Sequence, residues 1–442
     1  MSDRASILIG LLWCLAILSV VVVGTLHTAE MDLLAGKNFG DKIQARYLAL
    51  AGIERAEALL YKNAADRNHS ARNHTGDFYE DAQDFKDATL GRGTYSVIRR
   101  GRDDEGGGVI YGVSDEESRL NLNNATSDEL TKIPGLGPDV ATAILGWRGA
   151  GSSAAENDYY KALRPPYQPR NGRFQTIREL LMVRGVSSDQ LFGGDIHENG
   201  ILDDLADEPN EAPRYEDSLT PDDLGWAADL TVDSQVKNVT AAGEARVNIQ
   251  DADENALSAL PGITRDIAHA IVVYRGQHHF DSIANLLDVT APSNNGTGGG
   301  AGGDGGGDNS GQTVISDQLF ADIADRVTVI SDEVLSGPIN INTAGLEVLK
   351  CLPGMDRELA QAIISHRQSA GFFANIAEVL QVDGMNRHIL QQIAPLITAR
   401  SETYRILAEG RVKSTGARQR IQVIVQVNLD GVKTLSYRED NL

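Results

Sequence analysis

The rhythm of apolar and polar positions changes several times along this chain. Ile7 to Leu26 reads ILIGLLWCLAILSVVVVGTL, twenty residues without a formal charge. As a helix rising 1.5 Å per residue, the run spans about 30 Å, the thickness of a bilayer core. It is longer than the apolar part of a secretory signal and less interrupted than a soluble core helix, so it predicts membrane insertion. A short N-terminus inside, with everything from His27 onward exported, is the simplest orientation. The helical pattern then continues. Leu33, Leu34, Ile43, Tyr47, Leu50, Ile53, Ala56 and Leu60 recur at mostly helical spacings, which predicts one helix to about Lys62, kinked near Gly36 or Gly40.

Period-two alternation follows. Gly93–Arg100 (GTYSVIRR) and Val109–Val113 (VIYGV) read as strands, and so do TYRILAEGRV, RQRIQVIVQV and VKTLSYRE near the other end, with Gly416 and Asp430-Gly431 marking turns. Two shorter runs, DLTVDS at Asp229 and RVTVIS at Arg326, suggest strands that precede later helical units.

Between these flanks one unit occurs three times without a gap: Leu120–Arg148, Val247–Arg275 and Ile339–Arg367, 29 residues each. Each has Asn at its second position, a helix, Pro-Gly, and a second helix ending in Arg. Pro134-Gly135, Pro261-Gly262 and Pro353-Gly354 break the chain, because Pro cannot continue a helix and Gly permits a tight turn. The second helices set apolar residues on one face: Val140, Ala143 and Ile144; Ile267, Ala270 and Ile271; Leu359, Ala362 and Ile363. A tail follows each unit, FQTIRELLMV, FDSIANLLDV or FANIAEVLQV. These are helix-hairpin-helix units, each completed by a packing helix, with Arg148, Arg275 and Arg367 expected as C-terminal caps or ion pairs.

Such hairpins bind DNA when backbone N–H groups of a Gly-X-Gly turn meet a phosphate. Only the first copy has that turn, Gly135-Leu136-Gly137; the others carry Thr264 and Asp356. Asp139, Asp266 and Glu358 then stand where the phosphate would sit, repelling it while opposing the helix dipole. A structural role for the hairpins is favoured, and a nucleic-acid partner is disfavoured.

Composition sharpens this picture. The 442 residues carry 40 Lys+Arg against 62 Asp+Glu, a formal charge of −22. Asp195–Gln235 alone contributes −12, so the acidity belongs mainly to one connecting segment. Two cysteines, Cys14 and Cys351, exclude a disulfide framework and a Cys-rich zinc site. SNNGTGGGAGGDGGGDNSGQ, between Ser293 and Gln312, reads as a flexible linker. His278-His279 is unaccompanied by regular carboxylates and reads as surface. No catalytic constellation emerges, and the chain is not expected to be an enzyme.

A short leader, an apolar stretch with Leu12-Trp13, and the helical ARYLALAGIERAEALL resemble the minor pseudopilin K family of type II secretion systems. So do Tyr159-Tyr160, Pro165-Pro166-Tyr167, Asn171-Gly172-Arg173-Phe174 and the run from Glu179 to Gly185. The resemblance implies cleavage by a prepilin peptidase between Ala5 and Ser6, with Ala for the usual Gly and Ser for the usual Phe or Met. It implies Gly10 at the fifth mature position, where most pilins have Glu, and hence a place at the filament tip. It also implies other minor pseudopilins as partners and an inner-membrane anchor with the bulk in the periplasm. Calcium sites known in that family make Ca²⁺ a candidate ion, and Asp203–Asp233 is rich in carboxylates without an ordered ligand spacing.

The expected fold class is α+β: a long transmembrane and pilin-like N-terminal helix packed on an antiparallel sheet, with a large inserted region of three helix-hairpin-helix repeats. The expected partition is leader 1–5, helix 6–62, first sheet part 63–118, repeat one with an insertion 119–193, acidic linker 194–240, repeat two 241–290, Gly-rich linker 291–312, repeat three 313–398, and final strands 399–442. The expected function is a minor pseudopilin at the tip of the secretion pseudopilus, acting by subunit assembly. The alternatives are a membrane-anchored DNA-uptake receptor and a plain membrane-anchored scaffold.

Overall fold

The structure, a computed structural model, describes residues 2–67, 79–149, 154–195, 225–291 and 313–440. Helix α1 runs from Ser2 to Arg67. It continues past Gly36 and Gly40, where a kink was expected, and past Lys62. No proline occurs in it to remove a backbone donor.

Seven strands form one sheet: β1 (Ala88–Leu90), β2 (Gly93–Arg100), β3 (Val109–Tyr111), β4 (Ser114–Asp115), β5 (Thr403–Val412), β6 (Arg418–Asn428) and β7 (Gly431–Asp440). Its order is β1-β2-β5-β6-β7, with β3 on β2 and β4 on β5, and all the pairings are antiparallel. The expected strands are all present; β1 and β4 are additions too short to show an alternating pattern. The last turn is Leu429-Asp430, with Gly431 already paired to Asn428.

The second half of α1 lies on this sheet because its small and branched residues recur on one face. Ala49, Ile53, Ala56 and Leu60 bury against Ile406, Ala408, Ile421, Val423 and Val425. Gly410 permits the close approach: a Cβ there would overlap the Ala45 carbonyl oxygen and lie 2.5 Å from the Ala49 nitrogen.

Between β4 and β5 sit three repeats sharing one large apolar core. Each opens with a two-residue strand that pairs in parallel with a closing strand: Leu120 with Leu230, Val247 with Val327, and Ile339 with Ile397. Asn121, Asn248 and Asn340 reach across to Ser234, Ser331 and Ser401. Each repeat thus ends on Thr-x-x-Ser at Thr231, Thr328 and Thr398.

This pairing redraws the units. DLTVDS and RVTVIS close repeats one and two; they do not introduce the repeats that follow. The acidic stretch and the Gly-rich stretch therefore lie inside repeats one and two, and residues 313–328 belong to repeat two. The boundaries at 193, 290 and 312 move for the same reason. Beyond the Pro-Gly hairpin each repeat has a second pair of helices, a 3₁₀ helix followed by an α-helix. The pairs are Ile177–Met182 with Ser188–Phe192, Ile283–Asp288 with Asp317–Ile323, and Ile376–Gln381 with Arg387–Ile393. Repeat two hangs on a stem in which Gln235–Lys237 pairs antiparallel with Val334–Ser336.

Candidate functional site

Two places carry the expected chemistry, the free part of α1 and the hairpin turns, and a third site lies at the junction between repeats and sheet. On α1, Leu11, Leu12, Trp13, Leu15, Ile17, Leu18, Val20 to Val23 and Leu26 are all exposed. Burial against the body begins at Asp41. Among the described residues α1 is the one helix long and apolar enough to cross a membrane, a single-pass anchor by length and composition. Ala5 and Ser6 lie within its first turns, and Gly10 is exposed, in a position where an added Cβ would meet nothing within 4 Å.

The turn glycines Gly135, Gly262 and Gly354 have φ of +75°, +76° and +69°, a region that favours glycine. Each turn is backed by its own repeat. Trp226 Nε1 donates to the Pro134 carbonyl at 3.0 Å, Leu319 sits against Gly262, and Ile389 and Gln392 sit against Gly354. Thr264 and Asp356 cap the second helices by accepting from the Ile267 and Leu359 N–H groups. Of the three second helices, only the one after Gly137 starts without a side-chain cap, and Asp139 stands in its first turn.

Arg148 is the C-cap residue of its helix by backbone position, but the side chains of the three closing arginines bond elsewhere. Arg148 donates to the Leu122 and Ala125 carbonyls, Arg275 to those of Ile249 and Ala252, and Arg367 to those of Ile341 and Ala344. The second helix carries the arginine, at or near its end, back beside the start of the unit, where the chain turns into the first helix and leaves carbonyls unpaired. Arg367 also pairs with Asp104 at 3.0 Å, tying repeat three to the loop between β2 and β3.

The sequence reading missed the junction. Asp115, Glu116 and Glu117 are 3%, 0% and 0% exposed. Asp115 Oδ2 accepts from Asn340 Nδ2 at 3.0 Å and from the Thr343 and Ser401 hydroxyls, all in repeat three. Glu116 accepts from Arg119 at 2.5 Å, from Arg405 at 2.7 Å and from Thr231, the closing residue of repeat one. Glu117 accepts from the Gln235 and Thr403 N–H groups, both at 3.1 Å. Burial raises the Glu116 carboxyl, but Arg405 and Arg119 outweigh it and hold the group at about 2. Burial and then Glu116 push Asp233 up to about 6. Three consecutive acids gave only the signal of a charge run, which ordinarily means a solvated face.

No group of His, Cys, Asp and Glu among the described residues is arranged to hold a metal ion. Most of the acidic stretch considered for Ca²⁺ lies outside the described residues. Cys351 is buried, which pushes its thiol up to about 12.

Residues 118–191 match the family model of type II secretion system (T2SS) protein K, over the first repeat and its Tyr-Tyr to Arg-Gly insertion. That stretch, 74 of the 442 residues, is similar to protein K of type II secretion systems. Residues 243–291 and 334–398 match the helix-hairpin-helix motif model. The chain is also similar to the rat endonuclease/exonuclease/phosphatase family domain-containing protein 1, at 25% identity over 39% of this chain and 31% of that protein. It therefore spans about a third of that relative. ComE operon protein 1 of Bacillus subtilis is 30% identical over 22% of this chain and 35% of its own. A chain of the GspK–GspI–GspJ complex from enterotoxigenic Escherichia coli aligns over 90% of this chain and 98% of its own, at 11% identity and a TM-score of 0.42.

Proposed function

We propose that this chain is a member of the type II secretion protein K family, a non-catalytic minor pseudopilin that takes part in secretion across the outer membrane by assembling into the pseudopilus. The observation that carries the reading is one architecture joined to one match. An exposed apolar α1 packs by its second half on an antiparallel sheet, and the inserted repeat is the part that matches protein K. The helix inserts beside those of other minor pseudopilins in the inner membrane, and the body stands in the periplasm. Gly10 supports a place at the tip. A carboxylate at that position needs a paired cation when buried, and glycine makes no such demand on a neighbour above.

Cleavage by a prepilin peptidase between Ala5 and Ser6 is part of the proposal. N-terminal sequencing of the mature protein purified from membranes is expected to begin at Ser6. An intact Met1, or a start after Leu26, would overturn the assembly mechanism. Hairpin matches keep the DNA-uptake reading in view, but two of the three helix starts are capped by their own side chains. Tight DNA binding with a steep salt dependence would reverse that order.

A further inference from the structure

The junction acids differ in their partners. The two guanidinium groups of the cluster, Arg119 and Arg405, both bond Glu116. Among the described residues, every donor to Asp115 and Glu117 is neutral: an amide, two hydroxyls and three backbone N–H groups, one of them the N–H of Glu117 on Asp115 Oδ1 at 2.8 Å. Two carboxyl groups, two positions apart in the chain, are thus buried at one junction where Asp115 acts directly on Glu117, and neither has a cation among these bonding partners. Two neighbouring bare carboxylates in a low-dielectric interior repel strongly, whereas one shared proton removes the conflict.

We propose that Asp115 and Glu117 share one proton in the folded chain, and that this proton-bearing pair fastens repeat three and the segment after repeat one onto the sheet. Asp115 carries the bonds to Asn340, Thr343 and Ser401; Glu117 carries those to Gln235 and Thr403. When the proton leaves to solvent, two adjacent carboxylates remain and the junction loosens. The charged and titratable groups around the pair set the response. Glu116 sits between them on the chain, neutralised by Arg119 and Arg405. Tyr79 and Tyr404 lie on the sheet side, with the Tyr404 hydroxyl on the Ser401 carbonyl. Asp233, Glu402 and Lys237 lie toward the stem, where Glu402 accepts the Lys237 N–H. Burial and then Asp115 raise Glu117 well above the usual carboxylate range, in keeping with a retained proton. A carboxyl raised on folding contributes stability that is complete below its unfolded value and is lost as pH rises through its folded value. The device therefore locks in mild acid and weakens toward alkaline pH.

The test uses the full chain in detergent micelles. The thermal midpoint of the native protein is expected to fall from about pH 5 to about pH 9, by roughly 4 °C or more. Glu117→Gln, which imitates the protonated carboxyl, should flatten that fall, and parallel profiles for the two proteins would overturn the proposal. Infrared spectroscopy in heavy water gives a second readout that needs no variant to fold. A protonated-carboxyl band should persist at about pH 8, above the range of Asp233 and of ordinary carboxyls. Absence of that band from the folded native chain would equally defeat the shared proton.

Discussion

Arg148, Arg275 and Arg367 stand at the last position of each 29-residue unit, and their side chains do the same work three times. Each holds two backbone carbonyls where the unit begins, at distances between 2.6 and 3.2 Å. A hydrogen bond from a charged donor contributes about 1.5–3 kcal/mol, and losing it strands the acceptors. Arg275→Met should therefore destabilise the chain by about 2 kcal/mol, measured by thermal or urea unfolding. Arg367→Met should cost more than Arg275→Met, because it also leaves the partly buried Asp104 without that partner. Equal losses would show that the Asp104 bond adds nothing. The recurrence of arginine was legible in the sequence, and its partners were not. A repeat shows which positions matter, but a carbonyl more than twenty residues away becomes a neighbour only once both helices are packed.

At the scale of elements, helices and strands with several residues of periodic burial were readable, and the shortest ones were not. β2, β3, β5, β6 and β7 announce themselves by alternation. The closing strands of the repeats have two residues each, too few to show a period. Their Thr-x-x-Ser pattern, at Thr231, Thr328 and Thr398, was the available signal, and it recurs only at irregular distances from the 29-residue units. The contact between α1 and β5 likewise needed the tertiary structure, although Gly410 stood in the strand as a visible exception to its pattern. Gly410→Ala would place a methyl against the helix backbone, so the helix must lift from the sheet. The expected cost is about 1–3 kcal/mol, read as a lower unfolding midpoint. An unchanged midpoint would mean that the helix rests elsewhere.

On the scale of the whole molecule, repeat three is central. Repeat one meets it through Lys132, whose ammonium donates to the Cys351 and Leu352 carbonyls. Repeat two meets it through Arg387 with Asp317 and Gln391 with Asp288. Repeat two leaves and returns through a single antiparallel stem, so replacing residues 238–333 by a short turn should leave the sheet and the other two repeats folded. Circular dichroism should show the remaining secondary structure with one cooperative melt at a lower midpoint. Loss of that melt would make repeat two part of the obligatory core. By the proposed assembly through α1, the shortened chain should still co-purify with minor pseudopilins, because α1 and its sheet are untouched.

The sequence by itself determined the anchor, the α+β class, the sheet-forming ends and the three hairpins, because each depends on local periodicity, on Pro-Gly turns or on repetition. Only the tertiary structure decided where each repeat closes, what the arginines hold, and why Asp115 to Glu117 are buried. Those features depend on residues that lie up to nearly three hundred positions apart in the chain, as with Asp115 and Ser401. An acidic run carries the same local pattern whether water or the protein interior receives it, and only packing determines which partners replace the water.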